Sequence, residues 1–364
     1  MRIVEKIVAL IMGCSLLTPM GMVSAEDARW QDRVPKYKEI KGQILEKGPM
    51  LLFSDSPEMV NDCGVMYRDT VQGKVRLFFH HVNDTDSTKQ LALVLRNKNF
   101  FQPAVINVGR QGISKANKDW LLAGKEAQVN FFTKEQSRTF RIRGKKEFFT
   151  GKAGIRIRPQ ELITGIVDFE FSKPIEVSFM MLPLKTDFND AFDMYGILPP
   201  DQGGHILRGT FPASDKLITI NQVFDTDKDE VWGIKLADEE HYVKGTDVTR
   251  KKPVVDYGDY GVVYDLKFNT TGSKATRVRF NPYGGIYAGY CDFYAGDKLT
   301  RVLLPRETTA FGEKNHDDVT IVLGEIPAGK EGRVVFSPPG SSNLPVRIFL
   351  EPVHKQIYSP KAHK

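Results

Sequence analysis

The sequence predicts a mainly β protein, built as two antiparallel β-sandwich-like domains in tandem. Two observations predict it. Short runs of β-branched and aromatic residues, punctuated by Gly, Pro, Asn and Asp, recur every eight to twelve residues or so, the spacing of antiparallel sandwiches and barrels. Helical periodicity is weak throughout the chain of 364 residues.

The N-terminus reads as an export signal. Arg2 and Lys6 supply a positive start, residues 7–23 are mostly apolar, and Val23-Ser24-Ala25 gives the small residues a signal peptidase needs. Cleavage is therefore expected after Ala25. A lipid anchor at Cys14 is the alternative, because Ile11-Met12-Gly13-Cys14 faintly resembles a lipobox. Removing 25 residues from 364 leaves 339, enough for two domains with real cores. No later stretch is long and apolar enough to cross a bilayer, so no membrane span is expected after cleavage.

A polar lead-in is expected over 26–44. The first domain, 45–185, should carry strands at 74–82, 90–95, 104–108, 127–132, 139–142, 165–171 and 176–182. The helical candidates are short, at 116–123 around Trp120 and at 188–195. Leu198-Pro199-Pro200-Asp201-Gln202-Gly203-Gly204 is turn chemistry and places a linker at 186–204. The second domain, 205–356, should hold strands at 217–220, 261–266, 276–280, 319–323, 332–336 and 346–350, followed by a basic tail at 357–364. No fixed-period repeat or low-complexity tract is present.

The net charge is +6, of which Arg2, Lys6 and Glu5 of the signal contribute +1, leaving +5 after cleavage. Such a balance favours anionic partners, wall polymers and acidic glycans among them. Export argues against nucleic acid. Cys63 and Cys291 are the cysteines left after cleavage; they can pair as an interdomain staple or remain two small buried hydrophobes. Two cysteines cannot make a zinc site.

Four stretches carry candidate chemistry. In Arg76-Leu77-Phe78-Phe79-His80-His81-Val82-Asn83 the histidines adjoin. Strand alternation turns their imidazoles apart, so they cannot grip one metal, but His81 and Asn83 share a face that could line a cleft. In Asp225-Thr226-Asp227-Lys228-Asp229-Glu230 the carboxylates alternate as in a calcium loop. An EF-hand needs Gly at its sixth position and a carboxylate at its twelfth, where this chain has Glu230 and Leu236. That leaves a simpler calcium loop on Asp225, Asp227 and Asp229, or a solvated turn.

The third stretch, 138–149, reads as a basic hairpin with Gly144 near its turn. Phe140 and Ile142 share one face; Arg141 and Arg143 share the other, with Lys145 following and Arg156 and Arg158 repeating the pattern. Such a ribbon suits an anionic polymer, or is a sheet's solvent face. The fourth, Asn281-Pro282-Tyr283-Gly284-Gly285-Ile286-Tyr287-Ala288-Gly289-Tyr290, is glycine-rich without phosphate-loop spacing. It reads as a tight turn whose Tyr283, Tyr287 and Tyr290 suit sugar-ring stacking. No nucleophile elbow, cysteine-nucleophile signature or cofactor motif is visible.

Several phrases recur together: Ser54-Asp55-Ser56-Pro57-Glu58-Met59-Val60, Gly64-Val65-Met66-Tyr67-Arg68-Asp69-Thr70-Val71 and 76–83, then Arg208-Gly209-Thr210-Phe211-Pro212, Tyr260-Gly261-Val262-Val263-Tyr264, Phe280-Asn281-Pro282-Tyr283-Gly284-Gly285 and Ser342-Asn343-Leu344-Pro345-Val346-Arg347. In this the chain resembles a group of exported proteins of Gram-positive-related bacteria. Many of them carry a module named for its likeness to the N-terminal domain of copper amine oxidases. The resemblance implies export and envelope association. The named module is non-catalytic in such proteins and has no distinct counterpart segment here. An amine oxidase would also need a tyrosine-derived quinone and three histidines on copper, which the seven scattered histidines do not display.

The expectation is an exported, non-catalytic protein of the cell envelope, extracellular or periplasmic, that uses no cofactor and binds a wall polysaccharide or another anionic surface polymer. A glycan-acting hydrolase, with an acid pair drawn from Asp225, Asp227 and Glu230, and a purely structural surface module are the rival expectations.

Overall fold

The computed structural model describes residues 34–354 apart from 100, 135–136, 145, 152–153 and 315–317. The expected export signal, Cys14, Lys145 and the expected basic tail lie outside the described residues. The protein is mainly β. Among the described residues the strands form three sheets, of twelve, six and five strands.

The twelve-stranded sheet is organised by two long strands, Gly64–Asn83 and Leu162–Pro183. They pair antiparallel from Leu162 opposite Val82 to Met181 opposite Gly64. The expected strands at 165–171 and 176–182 are one strand, because Ser172-Lys173-Pro174 bends the ladder without ending it. The register shifts there, opposite Gly73, whose φ of 79° costs glycine little. Ala104–Ile113 and Lys89–Arg96 pair with successive parts of Leu162–Pro183. One face buries Leu77, Phe79, Leu93, Ile106, Phe169 and Phe179 in a common core.

The expected hairpin at 138–149 does not close on itself. Arg138–Ile142 pairs with Ala104–Ile113, and Lys146–Phe148 pairs with Lys89–Arg96. Each arm finds a longer neighbour. The expected strand at 127–132 is also corrected: these residues end the helix Trp120–Thr133. Asp119 caps that helix, its carboxylate accepting from Leu122 N at 2.9 Å. Ala123, Ala127 and Phe131 repeat every fourth residue and are all buried, so helical spacing decides over the local alternation. The helix lies on Ala104–Ile113 so closely that a Cβ at Gly112 would come 2.0 Å from the Ala127 carbonyl oxygen.

The six- and five-stranded sheets sandwich a second core. Leu266, Phe293 and Phe336 come to it from one sheet, and Val278, Ile348 and Leu350 from the other. Pairing is mixed: Asp215–Asp225 runs parallel to Val263–Thr271, and Met50–Ser54 parallel to Gly64–Asn83.

Strand pairing also crosses the 186–204 stretch. Arg208–Phe211 joins the twelve-stranded sheet beside Met50–Ser54, and Gln43–Lys47 joins the six-stranded sheet beside Asp215–Asp225. The stretch itself holds the helix Phe188–Met194, whose Phe188, Ala191 and Phe192 pack on Val65, Val94 and Met180.

Candidate functional site

Gly64–Asn83 passes beside the segments around residues 57, 208, 260 and 341. Two buried arginines draw them together. The Arg208 guanidinium donates to Asp247, to the carbonyls of Ser56, Met66 and Leu198, and to Thr249 Oγ1, at 2.9 to 3.2 Å. Arg76 donates to Asp168 and Asp215 at 2.7 Å and to the carbonyls of Ser214 and Gly261. Tyr260 stacks on Phe78 and donates its hydroxyl to the Ser342 carbonyl at 3.0 Å.

The histidines turn apart, as strand alternation requires. His81 Nδ1 lies 2.9 Å from the Pro57 carbonyl, which can only accept, so Nδ1 carries the proton and Nε2 accepts from Ser54 Oγ at 3.0 Å. His80 Nε2 instead lies 3.2 Å from Ser341 Oγ and 4.0 Å from Glu58 Oε1. Burial depresses His80 to about 3 and His81 to about 4, so both are neutral. His81 and Asn83 do not line a cleft. Both are buried, and Asn83 spends its side chain on the carbonyls of Ser87 and Ile157 at 2.9 Å.

A cluster of carboxyls that sequence reasoning missed sits beside His80. Asp55 is buried, and desolvation followed by repulsion from Glu58, Asp201 and Asp256 raises it well above the usual carboxylate range. Its Oδ1 and the Oδ2 of buried Asp256 have no hydrogen-bond partner among the described residues. Asp201 accepts from Ser56 Oγ at 2.9 Å and Glu58 N at 3.1 Å, which ties the 186–204 stretch to this cluster. A buried carboxyl whose acid form is favoured by desolvation and by neighbouring carboxylates is a general-acid environment. The only sequence signal for it was the phrase Ser54-Asp55-Ser56-Pro57-Glu58. Among the described residues no group of three or more His, Cys, Asp or Glu side chains converges as a metal site.

The arginines lie elsewhere, on or just beyond the edge strands Arg138–Ile142 and Ile155–Ile157 of the twelve-stranded sheet. Ile142 and Ile157 point into its core. Arg141 and Arg156, one residue out of phase on the same strands, therefore point away from it. Arg141, Arg143, Arg156 and Arg158 are all exposed. Two acids of the same sheet already have bases: Asp168 binds Arg76 and Arg110, and Glu176 binds Arg96 and Lys98. Arg158 lies 3.9 Å from Glu161. Arg141, Arg143 and Arg156 have no carboxylate partner among the described residues.

The tyrosines are not a stacking platform. The stretch 281–290 is no hairpin turn but a crossover from Thr276–Asn281 in the five-stranded sheet to Gly289–Ala295 in the six-stranded one. Tyr287 thereby drops between the sheets and is fully buried. Tyr290 is buried against Phe132 and donates to Asp292 at 2.5 Å. Tyr283 is half-buried under the Arg347 guanidinium, 3.3 Å from its ring centre.

The calcium candidate is also corrected. Asp225 accepts from Asp227 N and pairs with Lys228, Asp227 accepts from Ser273 N and Oγ at 2.7 Å, and Asp229 accepts from Asp225 N at 2.7 Å. These carboxylates cap two turns and face no common point. Cys63 and Cys291 are both free, the second deep in the sandwich core. Burial pushes both thiols upward.

A cleft of about 80 Å³ opens beside Ile40, Ile218, Ile234 and Leu236, with Lys235 and His241 among its lining residues. It is far smaller than the roughly 300–1,000 Å³ of small-molecule sites.

No family model matches the chain, and no curated protein matches it. Among solved structures, it is similar to the CUB1-EGF-CUB2 domains of rat MASP-1 over 87% of this chain and 100% of that one, at 9% identity and a TM-score of 0.18. It is similar to vicilin from Solanum lycopersicum (tomato) over 82% of this chain and 84% of that one, at 11% identity and a TM-score of 0.14. At such TM-scores neither likeness carries an argument about fold or function.

Proposed function

We propose that this chain is an exported, non-catalytic protein of the cell envelope that binds an anionic surface polymer, such as a wall polysaccharide, through the exposed arginines at the edge strands of its twelve-stranded sheet. The observation that carries the reading is the exposure of Arg141, Arg143 and Arg156 without a carboxylate partner among the described residues, while Asp168 and Glu176 of the same sheet are paired to other bases. The net charge of +6 agrees in sign. The resemblance to exported envelope proteins supports the destination. An extended face suits a polymer better than the small cleft suits a metabolite. Pull-down of the purified protein by isolated cell wall tests this. Capture that weakens with salt and in the Arg141→Ala, Arg143→Ala double variant supports it; unchanged capture by the double variant rules out the arginine face.

A second reading, glycan hydrolysis, draws on Asp55, a buried acid beside Glu58. It requires release of reducing ends from a glycan panel and loss of that release in Asp55→Asn.

A further inference from the structure

One exposed side chain has no role in the polymer reading. Phe101 is 96% exposed, at the tip of the loop that follows strand Lys89–Arg96. A single exposed apolar residue is ordinary on a protein surface; Phe101 is set apart by how its loop is held and by what stands beside it. This loop is built to hold its shape. Asn97 donates from Nδ2 to the Gln102 carbonyl at 2.8 Å and to the Ile142 carbonyl at 3.0 Å. Its Oδ1 accepts from Asn99 N at 2.9 Å, and Asn99 Oδ1 accepts from the backbone N–H groups of Phe101 and Gln102, each at 3.0 Å.

The same amide fixes what stands beside the ring. The Gln102 and Ile142 carbonyls share the Asn97 nitrogen, so Phe101 neighbours the end of strand Arg138–Ile142, where Arg141 and Arg143 are exposed. Arg96, which ends strand Lys89–Arg96, binds Asp193 at 3.0 Å, and Met194, the next residue in sequence, is 76% exposed. An exposed phenyl ring therefore neighbours two guanidiniums that have no carboxylate partner among the described residues.

We propose that this patch docks onto an anionic lipid surface, with Phe101 entering the headgroup layer and Arg141 and Arg143 meeting lipid phosphates. A phenyl ring has no polar tip and gains little from the charged groups of a polyanion. A lipid surface sets an apolar layer directly beneath a plane of phosphates, which matches a ring flanked by arginines. The inference shares two arginines with the polymer reading but does not need the polymer.

The test is co-sedimentation of the full exported chain with vesicles of phosphatidylglycerol and phosphatidylcholine, and with phosphatidylcholine alone. The expected result is binding to the anionic vesicles only, weakened about tenfold or more in Phe101→Ser. The exposed position leaves the fold intact, which the far-ultraviolet spectrum checks. Phe101→Trp should add a blue-shifted fluorescence component on vesicle addition. Absence of anionic-vesicle binding, or binding equal in Phe101→Ser, overturns the proposal. Loss of cell-wall capture in Phe101→Ser without vesicle binding by the wild type also overturns it, and assigns the ring to the polymer. Wall capture that persists in Phe101→Ser while vesicle binding fails leaves the polymer reading standing alone.

Discussion

The imidazole of His81 and the hydroxyl of Ser54 are held 3.0 Å apart in a fully buried contact between two parallel strands. The histidine must be neutral for it to form in this way, since Nε2 accepts. Its neighbour His80 is buried on the other face. Both groups have folded-state pKa values below the ordinary histidine value, at about 4 and about 3. The unfolded chain therefore binds more protons below about pH 6.5, and stability falls as pH drops through that region. Each histidine should contribute a slope approaching about 1.4 kcal/mol per pH unit between about pH 6 and its own depressed value. Urea unfolding at several pH values checks this. The slope should shrink in His80→Gln; an unchanged slope means that other groups set the acid limit.

Asp55 titrates in the opposite sense. Its folded pKa is raised, so the folded state keeps a proton that the unfolded state has lost above about pH 4. The acid therefore costs stability increasingly as pH rises towards its folded value. Asp55→Asn should raise the melting temperature, and by more at pH 8 than at pH 4. A destabilised variant at pH 8 would mean that the carboxylate has a partner outside the described residues.

Arg208 and Asp247 form an ion pair with both side chains almost wholly buried. Arg208→Met leaves Asp247 charged and buried, and leaves the carbonyls of Ser56, Met66 and Leu198 without their donor. Chemical denaturation should show a loss of about 3–5 kcal/mol. Adding Asp247→Asn should recover part of that loss, because the stranded charge goes with it.

Gly112→Ala should destabilise by about 1–3 kcal/mol, because the new Cβ meets the backbone of the helix Trp120–Thr133. Gly196→Ala is the control. A Cβ there has no atom within 4 Å, and its effect should stay within about 0.5 kcal/mol.

The mainly β class was legible because strand chemistry dominates: 74–82, 90–95 and 346–350 each fall inside a strand. What misled was local ambiguity. Ala127-Gln128-Val129-Asn130-Phe131-Phe132 alternates like a strand, yet its apolar residues also fit the four-residue step from Ala123. Which period wins is set by the Asp119 cap and by packing on Gly112, the second a contact distant in sequence. The basic hairpin failed for a similar reason. Adjacent arms pair by default, but Arg138–Ile142 and Lys146–Phe148 each had a longer partner waiting. Tyr287 and Tyr290 read as a surface platform because a Gly-rich turn is usually exposed. Only the change of sheet at 281–289 buries them. The acid cluster was invisible as chemistry, since Asp55, Asp201 and Asp256 come from three distant segments. Its one trace was the phrase Ser54-Asp55-Ser56-Pro57-Glu58, which holds Asp55 and Glu58 but neither Asp201 nor Asp256.

The central claim is that Arg141 and Arg143 carry binding to an anionic surface polymer. The most direct measurement is the fraction of purified protein captured by isolated cell wall, over a salt series, for the wild type and for Arg141→Ala, Arg143→Ala. Wild-type capture at low salt should fall steeply as salt rises, and the double variant should be captured markedly less at every concentration. Wild-type capture that ignores salt, or a double variant that binds as the wild type does, would contradict it.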